Sequence, residues 1–388
     1  MVLDSPLILT ALVVGAAFSG WLLGSRARRT QGVRMRRKLP PDYFTGLDYL
    51  INEQPDRAVE VFTRMVDVDT ETVEIHFALG SLFRRRGEVD RAIRVHQNIL
   101  DRPNLEPAQR EQALLELAID YLRAGLLDRS EQLFQKLTGS PAHRVAALRS
   151  LTRIYEQQRD WRQAIATHRQ LAANGAEIQP TAVAHYLCEL ADAAFSQGNV
   201  EEARQLLREA RREQRRFPRA ALARAAIAQS AGDDNLAVRL LSAALDHEPM
   251  LLLEVLPRLR ASSRRLGDQQ ALSTVLASRS RDARRQRELA QSLILTDVID
   301  EPSALAVVRD YVAGDGMLRE LVAPLGELEE IDDDTLRRIA RLIGRVLARG
   351  PRYRCGECGF AGQTWFWQCP GCKSWDSLKP QFVDARES

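Results

Sequence analysis

Four of the chain's five cysteines stand in two pairs, Cys355/Cys358 and Cys369/Cys372, in the spacing C-x2-C-x10-C-x2-C. A C-x-x-C step makes a tight knuckle that presents two thiolates on one side, while backbone N–H groups point back at the sulfurs. Two such knuckles complete a tetrahedral S4 set suited to zinc or to a single iron ion. Four protein sulfurs leave no open coordination position, which argues against metal-activated water and for a structural metal. The segment around them, residues 351–388, is too short to build a sufficient core, so the metal is expected to hold it together. Trp365, Trp367 and Trp375 lie between and just after the knuckles, as a miniature core and a docking face toward the last helices of the preceding body.

No other residues are spaced for chemistry. His76, His143, His185 and His247 are scattered, without the H-E-x-x-H spacing of zinc hydrolases, and neither a G-x-x-x-x-G-K-[ST] loop nor a G-x-S-x-G elbow occurs. Cys188, inside the helical run 184–190, reads as a buried, inert thiol. The sequence thus offers a metal-holding module and no catalytic residue.

What must position this module is a repeat. The stretch Asp56-Arg57-Ala58-Val59-Glu60-Val61-Phe62 returns six times, with its small residue at 58, 92, 130, 164, 203, 237 and 271. Successive copies are 34, 38, 34, 39, 34 and 34 residues apart, and Pro-bearing insertions near 102–107 and 174–180 account for the longer steps. Twelve residues before each small residue comes another, mostly small: Gly46, Gly80, Ala118, Thr152, Ala191 and Ala225. Tyr49, Phe83, Tyr121 and Tyr155 fill the space beside them. Gly87, Gly125, Gly198 and Gly232 mark turns that require positive φ. A 34-residue helix–turn–helix period is the signature of tetratricopeptide repeats, whose stacked units share a continuous core and leave a concave, usually protein-binding groove. His96 and His168 occupy the position of Phe62 and Phe134, so packing is their expected role. Past the array's clear part, 41–280, further helices are expected from Glu301 and from Asp332-Asp333-Asp334, with the array ending near Gly350.

The chain has 388 residues with 45 % hydrophobic and 28 % charged residues, as expected of a folded body. Residues 6–23 are uncharged and mainly apolar, and as a helix would reach about 27 Å, enough to cross a bilayer core. Asp4 precedes this run and Arg26, Arg28, Arg29, Arg34, Arg36, Arg37 and Lys38 follow it. That asymmetry predicts a retained anchor with its N-terminus outside and everything after residue 25 in the cytoplasm. Ala16, Gly20 and Gly24 form a ridge on which the span could pair with another helix, so a homo-oligomer stays open. Because the overall charge is +3 and the linker is so basic, residues 41–388 are net acidic, which disfavours nucleic-acid binding. The domains are therefore an anchor, 1–25; a basic linker, 26–40; a repeat array, 41–350; and a four-cysteine module, 351–388.

An N-out anchor, a tetratricopeptide array and a C-terminal four-cysteine module, in this order and at this length, closely resemble the lipopolysaccharide assembly protein B family of Gram-negative inner membranes. The resemblance covers essentially the whole chain and rests on the architecture more than on any one motif. It implies an all-α tetratricopeptide superhelix carrying an N-terminal transmembrane helix and a small rubredoxin-like module, with Cys355, Cys358, Cys369 and Cys372 as ligands of one zinc or iron ion. It also implies a non-enzymatic adaptor of the bacterial inner membrane that brings the deacetylase LpxC to the protease FtsH and so restrains lipopolysaccharide synthesis. A lipopolysaccharide-sensing inner-membrane protein would antagonise it. Lys373, where rubredoxins usually have Gly, and the short gap between knuckles depart from true rubredoxins and favour a structural metal over electron transfer. Two other readings stay open: a redox-active iron module, and a zinc ribbon like that of a bacterial recombination ATPase.

Overall fold

The computed structural model describes residues 41–382 except 52–53, 69–72, 269, 280–282, 317, 320–322 and 326–330. The expected anchor and basic linker lie outside the described residues, and among these no helix is long and apolar enough to cross a membrane. The chain divides into two compact units, Met1–Ala147 and Leu148–Ser388.

In the first unit the helices run in antiparallel pairs: α1 (Pro41–Ile51) with α2 (Pro55–Val68), α3 (Val73–Arg85) with α4 (Val89–Leu100), and α5 (Pro107–Arg123) with α6 (Leu127–Leu137). The repeated small residues are what let the pairs close. Ala58, Ala92 and Ser130 have no exposed surface. A Cβ on Gly46 would sit 2.6 Å from the Phe62 ring, and one on Gly80 would sit 2.4 Å from the His96 ring. Each ring lies where the small partner makes room. Gly87 and Gly125 turn the chain at φ +79° and +75°, a conformation glycine adopts without a Cβ clash.

His96 does more than pack. Its Nδ1 lies 2.5 Å from Asp120 Oδ2, and both side chains are wholly buried. Arg84 reaches the other Asp120 oxygen at 2.7 Å and Glu116 at 2.6 Å. The repeat pattern marks His96 as a core position but carries no sign of this charge network.

The boundary between the two units falls inside the next helix. α7 (Arg144–Gln158), α8 (Trp161–Ala173), α9 (Ala182–Ser196), α10 (Val200–Glu213), α11 (Pro218–Ser230) and α12 (Asp234–His247) are followed by α13 (Leu252–Leu266), α14 (Gln270–Arg279), α15 (Ala283–Leu295), α16 (Pro302–Gly314) and α17 (Asp333–Leu347). Ala164, Ala203 and Ala237 are fully buried, as the period requires. The expected helix starts are present: Glu301 precedes α16, and the Asp332 carboxylate accepts from the Asp334 and Thr335 amides to cap α17. One turn breaks the glycine rule, for Arg159 holds φ +58° between α7 and α8. A continuous apolar cluster runs from α11 to α17, through Leu241, Leu256, Leu276, Leu293, Val308 and Leu336.

After α17 the chain turns into a three-stranded antiparallel sheet in the order β2–β1–β3, formed by β1 (Tyr353–Cys355), β2 (Ala361–Gly362) and β3 (Leu378–Pro380). Strand alternation puts Tyr353 and Cys355 inward and Arg354 outward.

Candidate metal centre and its docking face

The knuckles rise from the ends of this small sheet. The first follows β1 and returns through Gly359 at φ +75°, with the Cys355 amide donating to Phe360 O at 2.7 Å. In the second, the Cys369 amide donates to Ser374 O and the Lys373 amide to Cys369 O, both at 2.9 Å. Lys373 stands at φ +61°, so the residue that replaces the usual glycine still adopts the left-handed turn.

All four sulfurs lie within 4.8 Å of one another. Cys355 Sγ is 3.7 Å from Cys372 Sγ, and Cys358 Sγ is 3.7 Å from Cys369 Sγ. The edge of a tetrahedron with metal–sulfur bonds of about 2.3 Å is about 3.8 Å, so the set fits a tetrahedral ion. Before a metal binds, the surroundings pull the thiols in opposite directions: against the Phe360 amide, desolvation and the sulfur neighbours push Cys358 up to about 11, while two others are lowered. The Ser377 hydroxyl, 3.3 Å from Cys355 Sγ, and the Cys358 and Glu357 amides bring that thiol down to about 6 against the cost of desolvation. The Ser374 hydroxyl and amide likewise hold Cys372 below the ordinary thiol range. Gly371 is needed for room, since a Cβ there would come within 3.3 Å of Cys358 Sγ.

The module is held by two anchors on the first helices of successive repeats. At one, Trp375 lies flat on His185 of α9, with centroids 4.4 Å apart, and its Nε1 donates to Glu156 of α7 at 3.1 Å. Asp376 accepts from His185 Nε2 at 2.8 Å and from the Thr181 hydroxyl at 3.1 Å. Arg219 of α11 closes this anchor: NH1 donates to His185 Nδ1 at 3.3 Å, NH2 to Glu189 at 2.7 Å, and the guanidinium faces the Trp367 and Trp375 rings. Because Arg219 can only donate, Nδ1 must accept, so His185 is the neutral Nε2–H tautomer. Burial, against the pull of Asp376, keeps its pKa below the ordinary value.

At the other anchor, Tyr353 OH donates to Glu254 of α13 at 2.6 Å, and Leu253 packs into a cluster with Tyr353, Cys355, Cys369 and Leu378. Trp365 stands edge-on to Tyr353 and, with Trp367, packs against the α11–α17 core.

The expected site residues Cys355, Cys358, Cys369 and Cys372 therefore come together, while Cys188 stands apart, fully buried, its thiol pushed up to about 12 by desolvation. The docking face extends beyond the last helices: Trp365 and Trp367 pack against the α11–α17 cluster, Trp367 also stands 6.0 Å from the His185 ring of α9, and Trp375 reaches α7, α8 and α9. His185, which looked like one scattered histidine among several, is the centre of that contact. No spacing signal could have marked it, since its partners are 34 and 191 residues away.

A family model described as a rubredoxin metal binding domain matches residues 353–380, and a tetratricopeptide repeat model matches residues 75–111 and 147–178. The chain is 31 % identical over 383 residues to lipopolysaccharide assembly protein B of Escherichia coli strain K12, covering 96 % of this chain and 97 % of that protein. A shorter likeness, 37 % over 35 residues, links it to the DNA repair protein RadA of Halalkalibacterium halodurans, but spans 9 % of this chain and 8 % of that one. Among solved structures, the C-terminal part of a tetratricopeptide repeat-containing protein from Cytophaga hutchinsonii aligns over 68 % of this chain and 98 % of that one, with 13 % identity and a TM-score of 0.40.

Proposed function

The chain belongs to the lipopolysaccharide assembly protein B family, and on that premise we propose that it is a membrane-tethered adaptor that promotes degradation of LpxC by FtsH and so restrains lipopolysaccharide synthesis. The repeat fold and the family's assembly role make it a scaffold and not an enzyme. The observation that carries the reading is the four-cysteine module braced across the first helices of successive repeats, which supports a scaffold held in one shape for binding other proteins. Cys355, Cys358, Cys369 and Cys372 hold one zinc or iron ion whose work is to keep the module folded. The span at 6–23 anchors the chain in the inner membrane, with the array and module in the cytoplasm. Confining both clients to one surface raises their effective concentration, so modest affinities suffice. A lipopolysaccharide-sensing membrane protein would relieve the restraint.

The test is complementation in a Gram-negative strain lacking its own family member. Expression of this chain should shorten the lifetime of LpxC, and crosslinking in membranes should capture LpxC and FtsH together with it. Unchanged LpxC turnover at full expression, or crosslinks to neither protein, would sink the proposal.

A further inference from the structure

Where it meets α15 and the end of α17, the module borders a cavity of about 220 Å³ that the adaptor reading does not use. Its apolar walls come from Leu295 of α15, Leu347 at the end of α17, and Phe382 after β3; its polar lining includes Arg352, Arg354 and Gln381. Arg352 and Arg354 stand on either side of the inward Tyr353, and both line the cavity. Among the described residues no acidic side chain lines the cavity and no carboxylate pairs with either arginine.

Two features show that this positive charge is not compensated locally. Arg352 spends one NH2 on Leu295 O at 3.3 Å, yet its Nε is buried without a hydrogen-bond partner. A buried donor left unpaired costs on the order of its desolvation, so such groups normally meet an acceptor. Arg354, for its part, stands directly opposite Lys379 in the β1–β3 register. Like charges across an antiparallel pair are unfavourable unless something negative lies between or beside them. The one opposing influence is the C-terminal end of α17, whose dipole disfavours anions. It carries about half a charge, and Gln363 Nε2 already donates to Gly350 O at 2.7 Å just beyond it. Two full guanidinium charges outweigh it.

We propose that this cavity binds a phosphate monoester head group borne on a short aliphatic stem. The phosphate would be held by Arg352 and Arg354, whose planar guanidiniums each suit bidentate recognition. The stem would lie against Leu295, Leu347 and Phe382. The volume is below the roughly 300–1,000 Å³ of sites that enclose a whole drug-sized ligand, so it takes a head and the start of a tail. A phospholipid and a soluble alkyl phosphate share this chemistry.

The experiment uses the full chain, metal-loaded, in detergent, titrated calorimetrically with butyl phosphate, inorganic phosphate and butanol. Butyl phosphate should bind saturably and more tightly than inorganic phosphate, and butanol not at all. Arg354→Gln, an exposed position, should weaken binding roughly tenfold or more without changing metal content or thermal midpoint. Absence of saturable binding to the intact chain, or equal binding by Arg354→Gln, overturns the proposal. So does binding that appears only in a chain ending at Phe382, because the chain's own acidic residues Asp384 and Glu387 would then be the natural occupants. Vesicles of phosphatidylcholine with and without phosphatidic acid separate the sources. Arg354-dependent binding to the acidic vesicles, competed by butyl phosphate, assigns a lipid. Butyl phosphate binding without vesicle binding assigns a soluble ester.

Discussion

Arg159 and Gly125 stand at equivalent turns, both left-handed, yet only one is glycine. The left-handed conformation costs an L-residue about 1–2 kcal/mol, so Gly125→Ala should lower stability by about 1 kcal/mol. Arg159→Gly should leave stability unchanged or slightly higher, read as the midpoint of chemical denaturation. A loss on Arg159→Gly would mean that the arginine side chain, not the backbone, is what the turn needs. Asp120 is a harsher position, since both its oxygens are engaged by His96 and Arg84 out of water. Asp120→Ala should cost about 1–3 kcal/mol, because His96 Nδ1 loses its buried partner while Arg84 keeps Glu116, and no effect would show that the network is dispensable. His185 gives a pH dependence whose sign follows from its depressed pKa, caused mainly by burial. Below the ordinary value of 6.5 the unfolded chain takes up a proton that the folded chain resists. Stability is therefore full above about 6.5 and is lost as pH falls toward the folded value. Tryptophan fluorescence during denaturation should show this slope, with metal content followed in parallel, and His185→Asn should flatten it; an identical slope would place the titration elsewhere. Positive φ at the turn glycines was legible because glycine advertises it, whereas the roles of Asp120 and His185 depend on partners in other repeats.

At the scale of elements, the helical pairs could be read because their constraint is periodic: a small residue every 34 positions, a facing small or large residue at a set offset, and a turn after each first helix. The module could be read as a metal site because four sulfurs need only the right local spacing. Where the module lies on the helices could not be read, because Trp375, Asp376 and Tyr353 choose partners by shape and charge, without periodicity. This placement sharpens the expected effect of ligand loss. Structural zinc contributes about 10–16 kcal/mol of apparent binding energy, more than so short a segment can replace by packing. Cys355→Ser, Cys358→Ser, Cys369→Ser and Cys372→Ser should each release the metal and unfold the module. Proteolysis should then open not just the end of the chain but also the α7–α13 face that the module covers. Cys188→Ser should be almost silent. A ligand variant that loses metal yet keeps a protected C-terminus and normal LpxC turnover would show that the metal is not structural. Red colour with reversible one-electron reduction of the purified protein would instead favour the redox reading.

For the whole molecule, the proposed anchor and the folded body make separable contributions. Repeat stacking does not need a membrane, so replacing residues 1–25 with a soluble start should leave helical content intact while LpxC turnover slows. Turnover undiminished at native expression would make the anchor dispensable. The bracing of the module across earlier helices also sets an order in time. His185 and Asp376 are 191 residues apart, and Glu156 and Trp375 are 219 apart. At about 5–20 residues per second, a ribosome finishes the covering module roughly 10–40 s after α7 and α9, the helices that Trp375 and Asp376 meet. During that interval α7 and α9 stand with an uncovered face, and the knuckles cannot close until both cysteine pairs are out and a metal ion is at hand. Completion of this protein is therefore a post-synthetic event gated by metal supply. A cell short of that metal would accumulate full-length chains still open to chaperones and proteases, lowering the amount of functional adaptor without any change in its gene's expression.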